Sequence, residues 1–110
     1  MTGGNTGIGY ETVLHLALHG AKVYLATRSA EKAADAIARI KQQRSTADVE
    51  FVELDLSRLE SVRKAAERLL EKDATINILI CNAGTLAQEY ALTDDGIETG
   101  FQCNYLGMFL

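Results

Sequence analysis

The sequence predicts an α/β fold, a parallel sheet with helices wound over both faces. Three observations predict it. Apolar periodicity switches repeatedly between helical and strand spacing, and the elements read α-β-α-β-α-β-α in order. The last strand-like run, Ile76 to Cys81, is apolar at nearly every position, as a strand covered on both faces must be. Strands joined by helices of this length are parallel with right-handed crossovers. With 110 residues, 47% of them hydrophobic, the chain has material for one small domain, residues 1–110.

Each element has its own signal. Gly7 to His19 reads as a helix whose stripe is Ile8, Thr12, Val13, Leu16 and Ala17, with Gly20 as its C-terminal cap. Lys22 to Thr27 is β-rich. Ser29 then stands where an N-cap belongs, Glu31 complements the first turn, and Ala33, Ile37 and Ile40 carry a second helical stripe. Val49 to Leu54 reads as the next strand. Ser57-Arg58-Leu59-Glu60 has capping-box form, which starts a helix with Leu59, Val62, Ala66, Leu69 and Leu70 inward. After the Ile76–Cys81 strand and a polar loop, Ile97, Phe101, Tyr105 and Met108 mark a last helix that runs to the end.

Composition excludes several functions. Fifteen acidic against eleven basic residues give a net charge of −4, and no Lys/Arg cluster exists to neutralise nucleic-acid phosphates. No apolar run reaches the length of a membrane span, and no leader pattern opens the chain. Cys81 and Cys103 lie far apart without ligand-spaced partners, which points to neither a disulfide scaffold nor a zinc site but to a reducing, cytoplasmic setting. Cys81, with apolar neighbours, is expected to be a buried core thiol. His15 and His19 are four apart on the first helix, but no carboxylate or cysteine joins them in a metal motif.

Thr2-Gly3-Gly4-Asn5-Thr6-Gly7-Ile8-Gly9 stands immediately before the first helix. Glycines here let backbone N–H groups approach a pyrophosphate at the positive end of the helix dipole. A plain surface turn is the bland alternative. The end of the following strand discriminates cofactors: an acid there holds ribose hydroxyls, whereas this chain has Thr27-Arg28. A guanidinium can take a 2′-phosphate bidentately, which favours NADP(H) over NAD(H), unless Arg28 is an ordinary solvated charge.

In these residues the chain resembles the short-chain dehydrogenase/reductase family, in its T-G-x-x-x-G-x-G branch, with Thr2, Gly3, Gly7 and Gly9 matching. Thr6 stands where the family's extended branch needs glycine. Three further stretches resemble family motifs in the family's order: Asp55-Leu56, Asn82-Ala83-Gly84, and Asp95-Gly96-Ile97-Glu98 followed by Phe101 and Asn104-Tyr105-Leu106-Gly107. The last is similar to retinol-dehydrogenase-like members. The resemblance implies a Rossmann-type doubly wound parallel sheet, incomplete here because the first strand and the C-terminal half are absent. It implies that Gly3, Asn5, Thr6, Gly7, Ile8 and Gly9 hold pyrophosphate and ribose, and Arg28 the 2′-phosphate. Asp55 and Leu56 would meet the adenine, Asn82, Ala83 and Gly84 would steady the sheet and line the ribose, and Asn104 would be the catalytic-tetrad asparagine.

The family's chemistry also uses a tyrosine with a lysine four residues later. Tyr10, Tyr24, Tyr90 and Tyr105 are followed at that spacing by Leu14, Arg28, Asp94 and Phe109. Only Met1 precedes Thr2 where a central strand belongs. The expectation is therefore an N-terminal fragment: the cofactor-binding half of an NADP(H)-dependent oxidoreductase acting on an alcohol or carbonyl compound, inactive by itself. The alternatives are a non-catalytic, redox-sensing dinucleotide module and an S-adenosylmethionine methyltransferase, which the missing strand-end acid and the Asn-Ala-Gly segment disfavour. A membrane anchor upstream of Met1 stays open. Thr85 to Asp95 would form part of the pocket rim, and the last helix would either pair with a second copy or bury its aromatic residues within the chain.

Overall fold

The structure is a computed structural model that describes residues 1–73, 75–86 and 89–110. Helix α1 (Gly7–Leu18), strand β1 (Val23–Thr27), α2 (Ala30–Gln43), β2 (Val49–Glu53) and α3 (Leu59–Lys72) follow in the predicted order. The two strands pair in parallel, with Val23 opposite Val49 and Thr27 opposite Glu53. Alternation along β1 splits the core into two layers. Val23 and Leu25 pack with Val13, Leu14 and Ala17 of α1 and Ala33, Ala36 and Ile40 of α2, whereas Ala26 joins Val52, Leu54, Val62 and Ala65 on the α3 side. Helices thus cover both faces, and both strands point their C-terminal ends the same way.

The helix ends explain themselves. At the end of α1 the Gly20 amide bonds to the Ala17 carbonyl and the Ala21 amide to the Leu16 carbonyl, the Schellman arrangement, with Gly20 at φ +89°. Ser29 caps α2 by accepting from the Lys32 amide at 3.3 Å. The capping box predicted at Ser57 does not form. Ser57 instead donates its hydroxyl to Asp55 Oδ1 at 2.6 Å, α3 begins at Leu59, and the Leu59 amide is taken by Asp95 Oδ2 at 2.8 Å. A nearer acceptor wins Ser57, and a carboxylate 36 residues away does the capping.

Three burial expectations also change. Tyr10 and Leu14 are buried on α1 while Ile8 is 82% exposed, so the core stripe lies one step round from the predicted one. On α3 Val62 and Ala65 are buried, whereas Ala66 and Leu70 face outward. Residues 76–81 do not form a ladder. Their backbone link to the sheet is the Thr2 amide to the Ile80 carbonyl at 3.0 Å, and Ile78, Leu79 and Cys81 are exposed, so Cys81 is no core thiol. Met1–Gly3 lies between this run and β1, bridging Thr2 to Ala26, and pairs with the run through that one main-chain bond, which is too little for a ladder.

The C-terminal part adds a small antiparallel bridge, Leu92 to Glu98, and then the last helix. That helix is α-helical over Thr99–Phe101, a π turn over Gln102–Leu106 and α-helical again over Gly107–Phe109. Glu98 caps it by accepting from the Gly100 and Phe101 amides at 2.8 and 2.6 Å, which holds its carboxyl below the usual value. Among the described residues no helix is long and apolar enough to cross a membrane, and no group of His, Cys, Asp and Glu could hold a metal ion.

Candidate dinucleotide cleft

The cleft lies at the C-terminal ends of β1 and β2, where open parallel sheets take their ligands. The loop Thr2–Thr6 leaves the sheet beside β1 and enters α1, and two constrained glycines, Gly3 in the loop and Gly9 in α1, set how closely they meet. Gly3 sits at φ +66°, and a Cβ there would lie 2.9 Å from the Ala83 Cα. At Gly9 a Cβ would lie 2.2 Å from the Gly3 carbonyl oxygen. The helix therefore approaches its own entry loop more closely than any side chain permits. Thr6, the N-cap of α1, makes no side-chain cap, and no acidic residue occupies the first turn, so the first amides are left for another acceptor.

Thr2 holds the loop to the Asn82–Gly84 segment. Its buried hydroxyl oxygen accepts from the Asn82 and Ala83 amides, both at 3.0 Å, and lies 3.7 Å from Met108 Sδ. The Asn82 carboxamide returns the contact, donating to the Thr2 and Gly3 carbonyls at 3.2 and 3.3 Å. Two loops 80 residues apart are thereby locked edge to edge.

Gly3, Asn5, Thr6, Ile8, Gly9, Arg28, Asp55, Leu56, Asn82, Ala83 and Gly84 all line this one cleft of about 770 Å³, a size ordinary for cofactor sites. Two predicted residues do not line it. Gly7 belongs to an open groove of about 1050 Å³ on the outer side of α1, which is larger but lies away from the strand ends. Asn104 stands just behind the rim, where its Oδ1 accepts from the Thr85 amide at 2.8 Å and its Nδ2 donates to the Thr85 carbonyl at 2.9 Å. Thr85 itself lines the cleft, as do Leu92, Thr93 and Asp94 of the predicted rim, whereas residues 87 and 88 lie outside the described ones.

Sequence reasoning missed several lining residues. Lys32 and Arg58 join Arg28: Arg28 follows β1, Lys32 stands in the first turn of α2, and Arg58 is the N-cap of α3. Lys32 could have been noticed one helical turn after Arg28, and Arg58 as the residue that follows the Asp55 turn. Cys103, half-buried in the wall, has its thiol pKa pushed up by burial. Asp55 is oriented by its own turn, accepting from the Ser57 amide and hydroxyl at 3.0 and 2.6 Å.

An anionic dinucleotide fits this arrangement on three counts: free helix-entry amides, glycines where a side chain would collide, and cations lining the cleft after β1 and at the starts of α2 and α3. Comparisons with known proteins agree. A profile of the short chain dehydrogenase family matches residues 1–110. The chain is 47% identical over 109 residues to the human (Homo sapiens) WW domain-containing oxidoreductase, covering 99% of this chain and 26% of that protein. It is 44% identical over 110 residues to retinol dehydrogenase 12 of Mus musculus, covering 100% of this chain and 35% of that one. The chain thus spans about a quarter to a third of the length of these relatives.

Among solved structures, it superposes on a short-chain dehydrogenase from Sphingobium yanoikuyae in complex with NADPH, with TM-score 0.78 and 31% identity over 97% of this chain and 42% of the other. An alcohol dehydrogenase from the archaeon Thermococcus sibiricus, complexed with 5-hydroxy-NADP, gives TM-score 0.80 and 26% identity over 97% and 46%. The fold is the Rossmann-like one of these enzymes, in incomplete form, and the chain belongs to the short chain dehydrogenase family.

Proposed function

We propose that residues 1–110 are the NADP(H)-binding part of an oxidoreductase that moves a hydride between a nicotinamide and an alcohol or carbonyl carbon. The observation that carries this reading is the single cleft that gathers Gly3, Asn5, Arg28, Asp55 and Asn82 from four separate places in the chain. In it the loop Gly3–Gly9 would hold pyrophosphate and ribose with main-chain amides, Arg28 the 2′-phosphate, Asp55 and Leu56 the adenine, and Asn82 to Gly84 the second ribose. Bound there, the cofactor supplies the hydride. Asn104, through its carboxamide, would fix the backbone at Thr85 beside the reacting end. The 110 residues contain no Tyr-x-x-x-Lys pair, so turnover is proposed of the protein that carries this chain and not of these residues alone.

Arg28 separates the two nicotinamide cofactors. A charge-assisted hydrogen bond contributes about 1.5–3 kcal/mol, or roughly ten- to a hundredfold in affinity. Replacing Arg28 with Asp should weaken NADPH by that factor and leave NADH equal or tighter, read by fluorescence titration. An unchanged ratio would remove the NADP preference.

The exposed rings of the last helix support a partner as well. Phe101 and Tyr105 stack at 5.3 Å between centroids, and Tyr105 and Phe109 at 6.3 Å, with Phe109 82% exposed. A second copy would cover this ladder. Tyr105→Asp should shift sedimentation from dimer to monomer, and a monomeric unmodified protein would discard the idea.

A further inference from the structure

Among the described residues two polar side chains are buried, Thr2 and Gln102, and Gln102 is fully enclosed. Both ends of its carboxamide are committed. Oε1 accepts from the Thr93 hydroxyl at 2.6 Å, and Nε2 donates to Asp95 Oδ2 at 2.7 Å. That same oxygen receives the Leu59 amide at the start of α3, directly after the Asp55–Arg58 turn of the cleft. Gln102 therefore ties three pieces together: the Leu92–Glu98 loop, the start of α3 and the last helix.

Asn104 follows two residues later, within the π turn Gln102–Leu106, where the Gly107 amide bonds back to the Gln102 carbonyl. Two helical positions place side chains on roughly opposite faces. Gln102 accordingly points into the core while Asn104 faces Thr85, which it holds at both amide and carbonyl. A helix cannot turn about its axis without breaking the two directional bonds at Gln102, and any such turn would carry Asn104 away from Thr85.

We propose that Gln102 is a positioning residue, which sets the rotation of the last helix through Thr93 and Asp95 and thereby delivers the Asn104 carboxamide to Thr85 at the rim of the cleft. This deepens the reading of Asn104 given above and rests on that reading for its functional meaning. No contact of Gln102 with the cleft is required.

Site-resolved amide hydrogen exchange on the full chain tests it. Gln102→Leu, close in volume and unable to make either bond, should accelerate exchange of the Thr85 amide about tenfold, the loss of one net hydrogen bond. Asn104→Ala should do the same, and the amides of β1 and β2 should keep their protection in both variants. Thr93→Val, which deletes one of the two bonds, should give a smaller rise at the same amide and carries the test if Gln102→Leu does not fold. A fast Thr85 in Asn104→Ala beside an unchanged Thr85 in the Gln102 and Thr93 variants overturns the proposal. Acceleration that spreads evenly through β1 and β2 overturns it too, since it marks a structural role only. A failure of the cofactor reading would show elsewhere, as absent dinucleotide binding with Thr85 behaving as described.

Discussion

Val23–Thr27 and residues 76–81 are apolar runs of similar length with opposite fates. The first lies between Met1–Gly3 and β2, with Val23, Leu25 and Ala26 buried. The second is joined to the sheet through the Ile80 carbonyl, and Ile78 and Leu79 are each 68% exposed. Side-chain character nominates a strand, but neighbouring backbone makes one, because an unpaired run has nowhere to send its N–H and C=O groups except water.

The sharpest way to break this comparison is to truncate one leucine in each run. Leu25→Ala, at a fully buried position, should cost about 2–5 kcal/mol in urea unfolding. Leu79→Ala should stay within about 0.5 kcal/mol. Equal losses would mean that residues 76–81 are packed after all. Next in size is the joint between the two regions. Thr2→Val keeps the shape but leaves the Asn82 and Ala83 amides without their acceptor, and the expected loss is about 2 kcal/mol. Faster exchange confined to those two amides would sharpen the assignment, and no change in either stability or exchange would refute it.

The smallest effect concerns Asp95. The Leu59 amide, and after it Gln102, hold its carboxyl below the ordinary value. A carboxylate depressed in the folded state contributes stability above its unfolded value of about 4. That contribution disappears as pH falls through the lower folded value. Asp95→Asn should therefore be less stable than the unmodified chain at pH 7, and the gap between their urea midpoints should narrow as pH falls below about 4. A gap that persists at low pH would assign the difference to shape and not to charge.

What could be read from the residues follows the range of the interactions involved. The α2 stripe, the Ser29 cap, the Gly20 terminator and the glycine loop are written within a few positions, so periodicity and residue type reveal them. Arg28 and Asp55 reach one cleft because parallel strands end on the same side, which the element order already implies, while Asn82 is held there by Thr2. The rest depends on partners distant in the chain. Asp95 displaces Ser57 as the cap of α3 from 36 residues away, and Thr2 meets Asn82 across 80. Residues 76–81 show the limit plainly, since no local signal states how much backbone a strand will find beside it. The π turn was equally silent. Its sequence, Gln-Cys-Asn-Tyr-Leu, carries no mark of wide winding, and the turn opens at the fully enclosed Gln102.

That wide turn makes the spacing of the last helix count in whole residues. A π turn accommodates one residue more than regular winding would. Excising a single position between Cys103 and Leu106 removes that extra residue, so the segment can rewind as regular α-helix with Met108 and Phe109 close to their present facing. Met108 would stay beside the Thr2 hydroxyl, and the loss would fall on the bonds made inside the turn, those of Asn104 to Thr85. A one-residue deletion here should therefore be tolerated better than one within α3, where every downstream side chain would swing by about 100°.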